Sequence, residues 1–180
     1  HAEQIVDDLS REDLEDESHI RTFEDRFCSY IRAERCHATN QARAALLIAL
    51  RALDLSPGDE VLVPDFTFEG VVDAILESGA TPVFVEPALQ DFNVPASHFI
   101  EKMTERTRAV IATHLFGIPC DIGDLPAIAK ENDCVVIEDC AQCLGAEYNG
   151  RPVGTFGDFT IASFNYEKHL TTGEGGMLAV

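Results

Sequence analysis

The chain has 180 residues, 46% of them hydrophobic, which is enough for one globular domain with a sizeable core. Its formal net charge of −19 comes from 32 acidic residues against 13 lysines and arginines, and this argues against nucleic acid or an anionic membrane as a partner. No apolar run approaches the ~20 residues of a membrane span and no export signal is visible, so we expect a cytoplasmic protein. The acidity fits an ordinary solvated surface or a high-salt cytoplasm, and both readings stay open.

The six cysteines lack the dense spacing of a secreted disulfide scaffold, so we expect reduced thiols. Cys140 and Cys143 form a CxxC pair, but no second pair follows at zinc-finger spacing. Two small packed thiols are therefore favoured over a metal or redox site, and we predict no bound metal.

The first part of the chain predicts an acidic helical segment over residues 1–35. Ser10 followed by Asp13 resembles a capping box that starts a helix. Four apolar residues then recur at helical spacing, so one face of this helix should dock on the domain. These residues are Ile20, Phe23, Phe27 and Ile31.

Residues 36–180 predict an α/β domain. The clearest helix covers 42–53 and stops at a Pro-Gly turn. Short apolar runs then predict buried strands at 60–63, 82–85, 109–113, 134–137, 159–164 and 177–180. Helix-like segments lie between several of them, at 71–78, 96–103 and 125–132. This alternation predicts a three-layer sandwich whose mostly parallel sheet is covered on both faces.

Two features suggest a ligand site at the strand ends. Glu138 and Asp139 follow a predicted strand, and open parallel sheets bind ligands beyond their carboxyl ends; the alternative is a helix cap or a surface acid. Phe66 and Phe68 follow another strand, where an aromatic ring can cover a flat ligand; the alternative is that both belong to the core.

The loop at 38–43, which opens the helix beginning at Ala42, is a candidate phosphate site. Free backbone N–H groups and the positive end of the helix attract phosphate, and Arg43 adds a positive charge. The alternative is a simple helix cap by Thr39 or Asn40.

Lys168 is one of three lysines and lies between two predicted strands, beside glycines at 173, 175 and 176. A buried lysine amine can lose its proton near neutral pH and act as a nucleophile, and the glycines permit close backbone approach. The segment matches neither a P-loop nor a GxGxxG fingerprint. The alternative is a glycine-rich turn with an incidental lysine.

Together these features meet the needs of pyridoxal 5′-phosphate. That cofactor requires a lysine for a Schiff base, an acid that keeps the pyridine nitrogen protonated, a phosphate site and an apolar cover for its ring. We therefore predict pyridoxal 5′-phosphate as the cofactor.

Seven segments of the chain occur in the order found in one known family: PGDEV (57–61), VPDFTF (63–68), GATPVF (79–84), HLFG (114–117), IEDCAQ (137–142), VGTFGD (153–158) and SFNYEKHLTTGEGG (163–176). In these segments the sequence resembles the DegT/DnrJ/StrS family of pyridoxal-phosphate sugar aminotransferases of fold type I. The match runs from about residue 23 to residue 180.

The resemblance implies a role for individual residues. Lys168 matches the Schiff-base lysine, Asp139 the partner of the pyridinium nitrogen and Gln142 the neighbour of the ring hydroxyl. Phe68 matches the aromatic residue stacked on the ring. The phosphate contacts match Ser163, Ala42, Arg43 and Ala44.

The resemblance also implies a reaction and an assembly. Members transfer an amino group from an amino acid, such as glutamate, to a keto group of a nucleotide-linked sugar for polysaccharide or antibiotic-sugar biosynthesis. They work as homodimers with the active site at the interface. Ala42 and Arg43 stand where many members have Gly-Thr, and Asn165 replaces a common His or Tyr.

Family members continue well past residue 180. We therefore expect residues 36–180 to form an incomplete large domain, without the small C-terminal domain, that binds the cofactor weakly or not at all unless the remainder is supplied. Two alternatives stay open. One is a dehydratase or lyase of the same fold, whose members replace the lysine with histidine, whereas His169 only adjoins Lys168. The other is an inactive or regulatory sugar-binding module.

Overall fold

The computed structural model describes residues 17–180, so the predicted capping box at Ser10 and Asp13 lies outside the described residues. Strands of this region form one seven-stranded sheet: β1 (Cys36–Thr39), β2 (Glu60–Pro64), β3 (Thr81–Val85), β4 (Thr107–Thr113), β5 (Val135–Asp139), β8 (Phe159–Ser163) and β9 (Gly176–Ala179). A separate hairpin joins β6 (Glu147–Tyr148) and β7 (Arg151–Pro152). The helices are α1 (Ser18–Ile31), α2 (Ala42–Ala52), α3 (Glu69–Glu77), α4 (Ala96–Lys102) and α5 (Leu125–Glu131).

The strands of the large sheet have the order β1-β9-β8-β5-β4-β2-β3. Strands β3, β2, β4, β5 and β8 are mutually parallel, whereas β9 runs antiparallel to both β8 and β1. Helices α3, α4 and α5 lie between successive parallel strands of the chain, as parallel pairing requires. The predicted α/β class with a mostly parallel sheet is confirmed.

Alternate residues of the strands enter two different cores, one on each face of the sheet. Val61 and Val63 of β2 pack with α2 and α3, whereas Leu62 between them packs with α4 and α5. In β4, Ile111 belongs to the same core as Val61 and Val63, and Val110 belongs to the same core as Leu62. Because both faces are covered by helices, these strands are apolar throughout, and the result is the predicted three-layer sandwich.

Helix α1 packs over β8 and β9 through aromatic contacts. Phe27 and Ile31 are buried. The rings of Phe23 and Phe27 meet that of Phe164 edge-on, with centroids 5.0 and 5.9 Å apart. Ile20 is 50% exposed, so the docked face of the helix is narrower than its spacing predicts.

The division of the chain into residues 1–35 and 36–180 stays a prediction. Within residues 17–180, no helix combines the length and the apolar character that a membrane crossing requires.

The short hairpin strands β6 and β7 were not predicted, and two strands of the large sheet also differ from the sequence prediction. Strand β1 was not predicted, because it is short and only its first residue is buried, so it carries no apolar run. Strand β5 continues through Glu138 and Asp139, which keep pairing with β4 and β8. Two acids can end this strand because one of them finds partners in the core and the other faces a cleft.

Candidate active site

A cleft of about 500 Å³ opens at the carboxyl ends of the parallel strands. Asp139 ends β5 and Ser163 ends β8, and both line it together with Lys168. Four further predicted site residues line the same cleft: Ala42, Arg43, Phe68 and Gln142. Ala44 is the one predicted site residue that does not line it. A second cavity, of about 400 Å³, lies by the amino ends of β1 and β8, and no predicted site residue lines it.

Asp139 presents its carboxylate to the cleft from the last position of β5. Its Oδ1 accepts a hydrogen bond from the Ala141 N–H at 3.0 Å. Burial raises the pKa of Asp139, and the Ala141 hydrogen bond and the charge of Lys168 oppose that rise. A further cation in the cleft would therefore favour the ionised form of Asp139.

Glu138, the preceding residue, points to the opposite face and is fully buried. Its two oxygens accept backbone N–H groups from one loop, those of Gly154 (2.8 Å), Phe156 (2.6 Å) and Gly157 (2.6 Å). The ring of His114 completes the set at 3.2 Å. Because His114 Nδ1 accepts the Cys120 N–H at 3.1 Å, its Nε2 carries the proton and donates to Glu138. Of the two candidate acids, only Asp139 lines the cleft.

The CxxC pair is packed in the interior and has no disulfide. Cys140 and Cys143 form a small apolar cluster with Val153, and burial raises the pKa of Cys143 to about 11. Cys140 lies with His114 and Glu138 such that their ligand atoms are within 4.8 Å of one another. Hydrogen bonds already occupy His114 and Glu138, and the absence of a metal or redox role for this cluster stays a prediction.

The first turn of α2 lines the cleft without a side-chain cap. Its N-cap is Gln41, and no side-chain hydrogen bond caps it, so the predicted alternative of a cap by Thr39 or Asn40 is wrong. A Cβ on Gly176 of β9 would lie 2.5 Å from the Ala42 nitrogen, so only glycine lets the strand approach the helix start this closely.

Of the predicted phosphate residues, Ala42, Arg43 and Ser163 line the cleft, whereas Ala44 does not. Arg43 lines the cleft and makes no salt bridge within residues 17–180. Ser163 pairs with Gly176 across the sheet, which brings it near the helix start. Ala44 does not line the cleft, and its N–H donates to the Gln41 carbonyl at 3.1 Å. The Ala44 N–H thus has a partner within the chain, and its role as a phosphate contact stays a prediction.

Phe68 lies over the cleft with 66% of its surface exposed. Its Cε1 would be 2.6 Å from a Cβ on Gly70, so glycine at that position makes room for the ring. Phe66 turns away from the cleft, with its ring centroid 5.3 Å from that of Phe92 and 6.1 Å from that of Phe116. Neither ring belongs to the core, so that alternative is wrong for both.

Lys168 is half-buried rather than buried. Its loop closes on itself, since the Phe164 N–H donates to the Gly175 carbonyl at 2.9 Å and the Lys168 N–H to the Asn165 carbonyl at 2.9 Å. Gly173 has φ +86°, a left-handed conformation that glycine adopts without strain. The glycines therefore shape a hydrogen-bonded loop from which Lys168 lines the cleft, and its role as the Schiff-base lysine stays a prediction.

Gln142 and two threonines complete the polar lining. The Gln142 Oε1 accepts the Phe116 N–H at 3.3 Å, and no residue in the described part of the chain accepts a hydrogen bond from its Nε2. The residues Thr67 and Thr113 line the cleft, and their buried hydroxyls have no hydrogen-bond partner within the described residues. Sequence reasoning missed both threonines. For Thr113 the available signal was a polar residue that ends an apolar strand.

Comparison with known proteins gives this geometry a context. GDP-perosamine synthase of Escherichia coli O157:H7 is 40% identical over 161 residues, which cover 89% of this chain and 44% of that protein. An aminotransferase from Psychrobacter cryohalolentis is 37% identical with a TM-score of 0.84, over 89% of this chain and 41% of its own. NtdA from Bacillus subtilis, solved with bound cofactor PMP, is 32% identical with a TM-score of 0.81. That match covers 89% of this chain and 36% of NtdA.

The chain spans less than half the length of each of these relatives. A family model matches residues 2–180, which is nearly the whole sequence. The chain belongs to the DegT/DnrJ/EryC1/StrS aminotransferase family.

Proposed function

We propose that this chain is the cofactor-binding part of a pyridoxal 5′-phosphate-dependent aminotransferase. It would move an amino group from an amino acid, with glutamate the expected donor, to a keto group of a nucleotide-linked sugar for polysaccharide or antibiotic-sugar biosynthesis. The observation that carries the proposal is one cleft that joins Lys168, Asp139 and the uncapped start of α2.

The residues of the cleft fit the cofactor. The open N–H groups at Ala42 and Arg43, the Arg43 charge and the Ser163 hydroxyl would hold the phosphate. Phe68 would cover one face of the ring. Gln142, whose Nε2 is free, would donate to the ring hydroxyl. Two orphaned buried hydroxyls in the same cleft indicate that a polar ligand completes it.

Asp139 would stabilise the positive charge on the pyridine nitrogen. A cation at the pyridine nitrogen restores the ionisation that burial opposes, because opposite charges attract strongly where water is excluded. When bound, the cofactor supplies the electron sink that makes loss of the donor's α-proton feasible.

Lys168 would have two tasks. Its amine would hold the cofactor covalently. Once free, the same amine would accept a proton at its Nζ and later release it, as a general base and acid. The hydrogen-bonded loop around Lys168 keeps the amine at the cleft throughout.

The decisive experiment uses the full-length protein with added pyridoxal 5′-phosphate. We expect the long-wavelength absorbance band of a lysine-bound cofactor, borohydride trapping of the label on the Lys168 peptide, and glutamate-dependent amination of a keto sugar nucleotide. Lys168→Ala should abolish all three, with a loss of activity of at least about 10³-fold. Lys130→Ala, a change of an exposed helical lysine, is the matched control, and a label on any other peptide would reject the proposal.

Dehydratase activity finds no support in the geometry. His169 points to the Leu144 carbonyl, 2.9 Å from its Nε2, and does not line the cleft. It therefore cannot take the place of the lysine.

We further propose a cytoplasmic homodimer. Within residues 17–180 all cysteines are free thiols, as in a reducing compartment. Phe66, Phe92 and Phe116 form an exposed aromatic cluster in which each ring is 46–60% exposed, and a second subunit would cover it. Light scattering of the full-length protein should give twice the monomer mass, and a monomer that is fully active would contradict the assembly.

A further inference from the structure

Within residues 17–180, the hydroxyls of Thr67 and Thr113 are the two buried side-chain polar atoms without a partner. An unpaired buried hydroxyl is unfavourable, because it has lost its hydrogen bonds to water and gained none. Native structures rarely keep such groups without a reason. That both line the same cleft points to a partner that comes from outside the chain.

Thr113 is the more constrained of the two. It is 5% exposed and ends β4, where it pairs directly with Asp139 of β5. Residues paired across parallel strands point their side chains to the same face. The Thr113 side chain therefore lies on the same face of the sheet as the Asp139 carboxylate, which the proposed function places at the ring nitrogen.

Other buried threonines of the sheet are satisfied. Thr160 is 3% exposed, and its hydroxyl donates to the Gly154 carbonyl at 2.8 Å. Thr107, at the other end of β4, accepts the Thr104 N–H at 2.9 Å. The sheet thus pairs its buried hydroxyls where they serve the fold and leaves one unpaired only at the cleft end of β4.

We propose that the Thr113 hydroxyl is a ligand-binding group of this site, which hydrogen-bonds the polar edge of the bound heterocycle next to Asp139. This inference rests on the proposed function. Thr113 then sets the in-plane position of the ring against Asp139, a task that an apolar residue could not perform. In the ligand-free protein the same unpaired hydroxyl slightly lowers the stability of the fold.

The test compares ligand-free and loaded full-length protein carrying Thr113→Val, which keeps the side-chain shape and removes the hydroxyl. We expect the Tm of the ligand-free variant to equal or exceed that of the wild type, by up to about 3 °C. Affinity for pyridoxal 5′-phosphate, titrated through the absorbance band, should fall about 3- to 10-fold. Thr113→Ser, which keeps a hydroxyl, should restore most of that affinity.

Thr160→Val is the matched control, because it removes a satisfied hydroxyl from the same sheet. It should lower the Tm of the ligand-free protein and leave the cofactor affinity unchanged. If Thr113→Val behaves like this control, Thr113 is structural and the inference is overturned. If the wild type shows no cofactor band at all, the proposed function fails and this inference fails with it; a normal band with unchanged affinity in Thr113→Val overturns the inference alone.

Discussion

Glu138 and Asp139 are neighbours on one strand and have opposite surroundings. Every oxygen of Glu138 meets a donor, from three backbone N–H groups and His114. Asp139 accepts one N–H, and its environment disfavours its charge. The cleft side of the sheet keeps unsatisfied groups ready for a ligand, whereas the opposite side uses its polar groups to hold the fold.

Glu138→Gln should have the largest effect on stability. The amide would turn an NH2 group towards N–H donors and leave buried groups unpaired, at a cost of about 3–5 kcal/mol. Urea unfolding of the ligand-free protein measures this loss. Glu101→Gln, on the exposed surface of α4, is the matched control and should change stability by less than about 0.5 kcal/mol. An equal effect of the two changes would remove the distinction between the two sides of the sheet.

Asp139→Asn should separate activity from stability. Without the carboxylate, amination should slow by about 10²- to 10³-fold. The folded-state pKa of Asp139 lies above its unfolded value, so the ionised group lowers stability once the pH rises through the folded pKa. We therefore expect the ligand-free variant to melt higher than the wild type at pH 7, and the gain to vanish in acid below the unfolded pKa.

Melting curves at pH 7 and pH 3.5 test the Asp139 prediction. Asparagine can still accept the Ala141 N–H, so that hydrogen bond is kept. A variant that melts lower than the wild type at pH 7 would show that Asp139, like Glu138, serves the fold.

Glu60→Gln should give the smallest effect and the opposite pH dependence. The Thr104 hydroxyl, at 2.5 Å, and the Arg106 guanidinium lower the pKa of Glu60. Its stabilisation is present above the unfolded pKa and is lost as the pH falls through the folded pKa. Because the Arg106 side chain is 69% exposed, we expect a loss of only about 1 kcal/mol at pH 7.

Unfolding at pH 7 and pH 3 measures the Glu60 contribution. Glu105→Gln, an exposed acid in the loop that carries Thr104 and Arg106, is the control and should be neutral at both pH values. A deficit of Glu60→Gln that persists unchanged at pH 3 would rule out an ionic origin.

Several features of this protein follow from the sequence alone. Apolar runs separated by helical segments predict the three-layer sandwich, because a strand buried on both faces must be apolar throughout. Family motifs single out Lys168 and Asp139, and these residues do line one cleft. The glycines after Lys168 predict close approach, which Gly176 shows against the start of α2.

Only the tertiary structure decided how each candidate is used. Glu138 and Asp139 look alike in sequence, because a strand with two buried faces shows no polar alternation that would assign their directions. Whether the Ala44 N–H is free, or the Thr113 hydroxyl is paired, depends on atoms that other residues bring within about 3 Å. Composition and periodicity determine which segments are buried, but hydrogen-bond partners come from distant parts of the chain and exist only once the sheet has assembled.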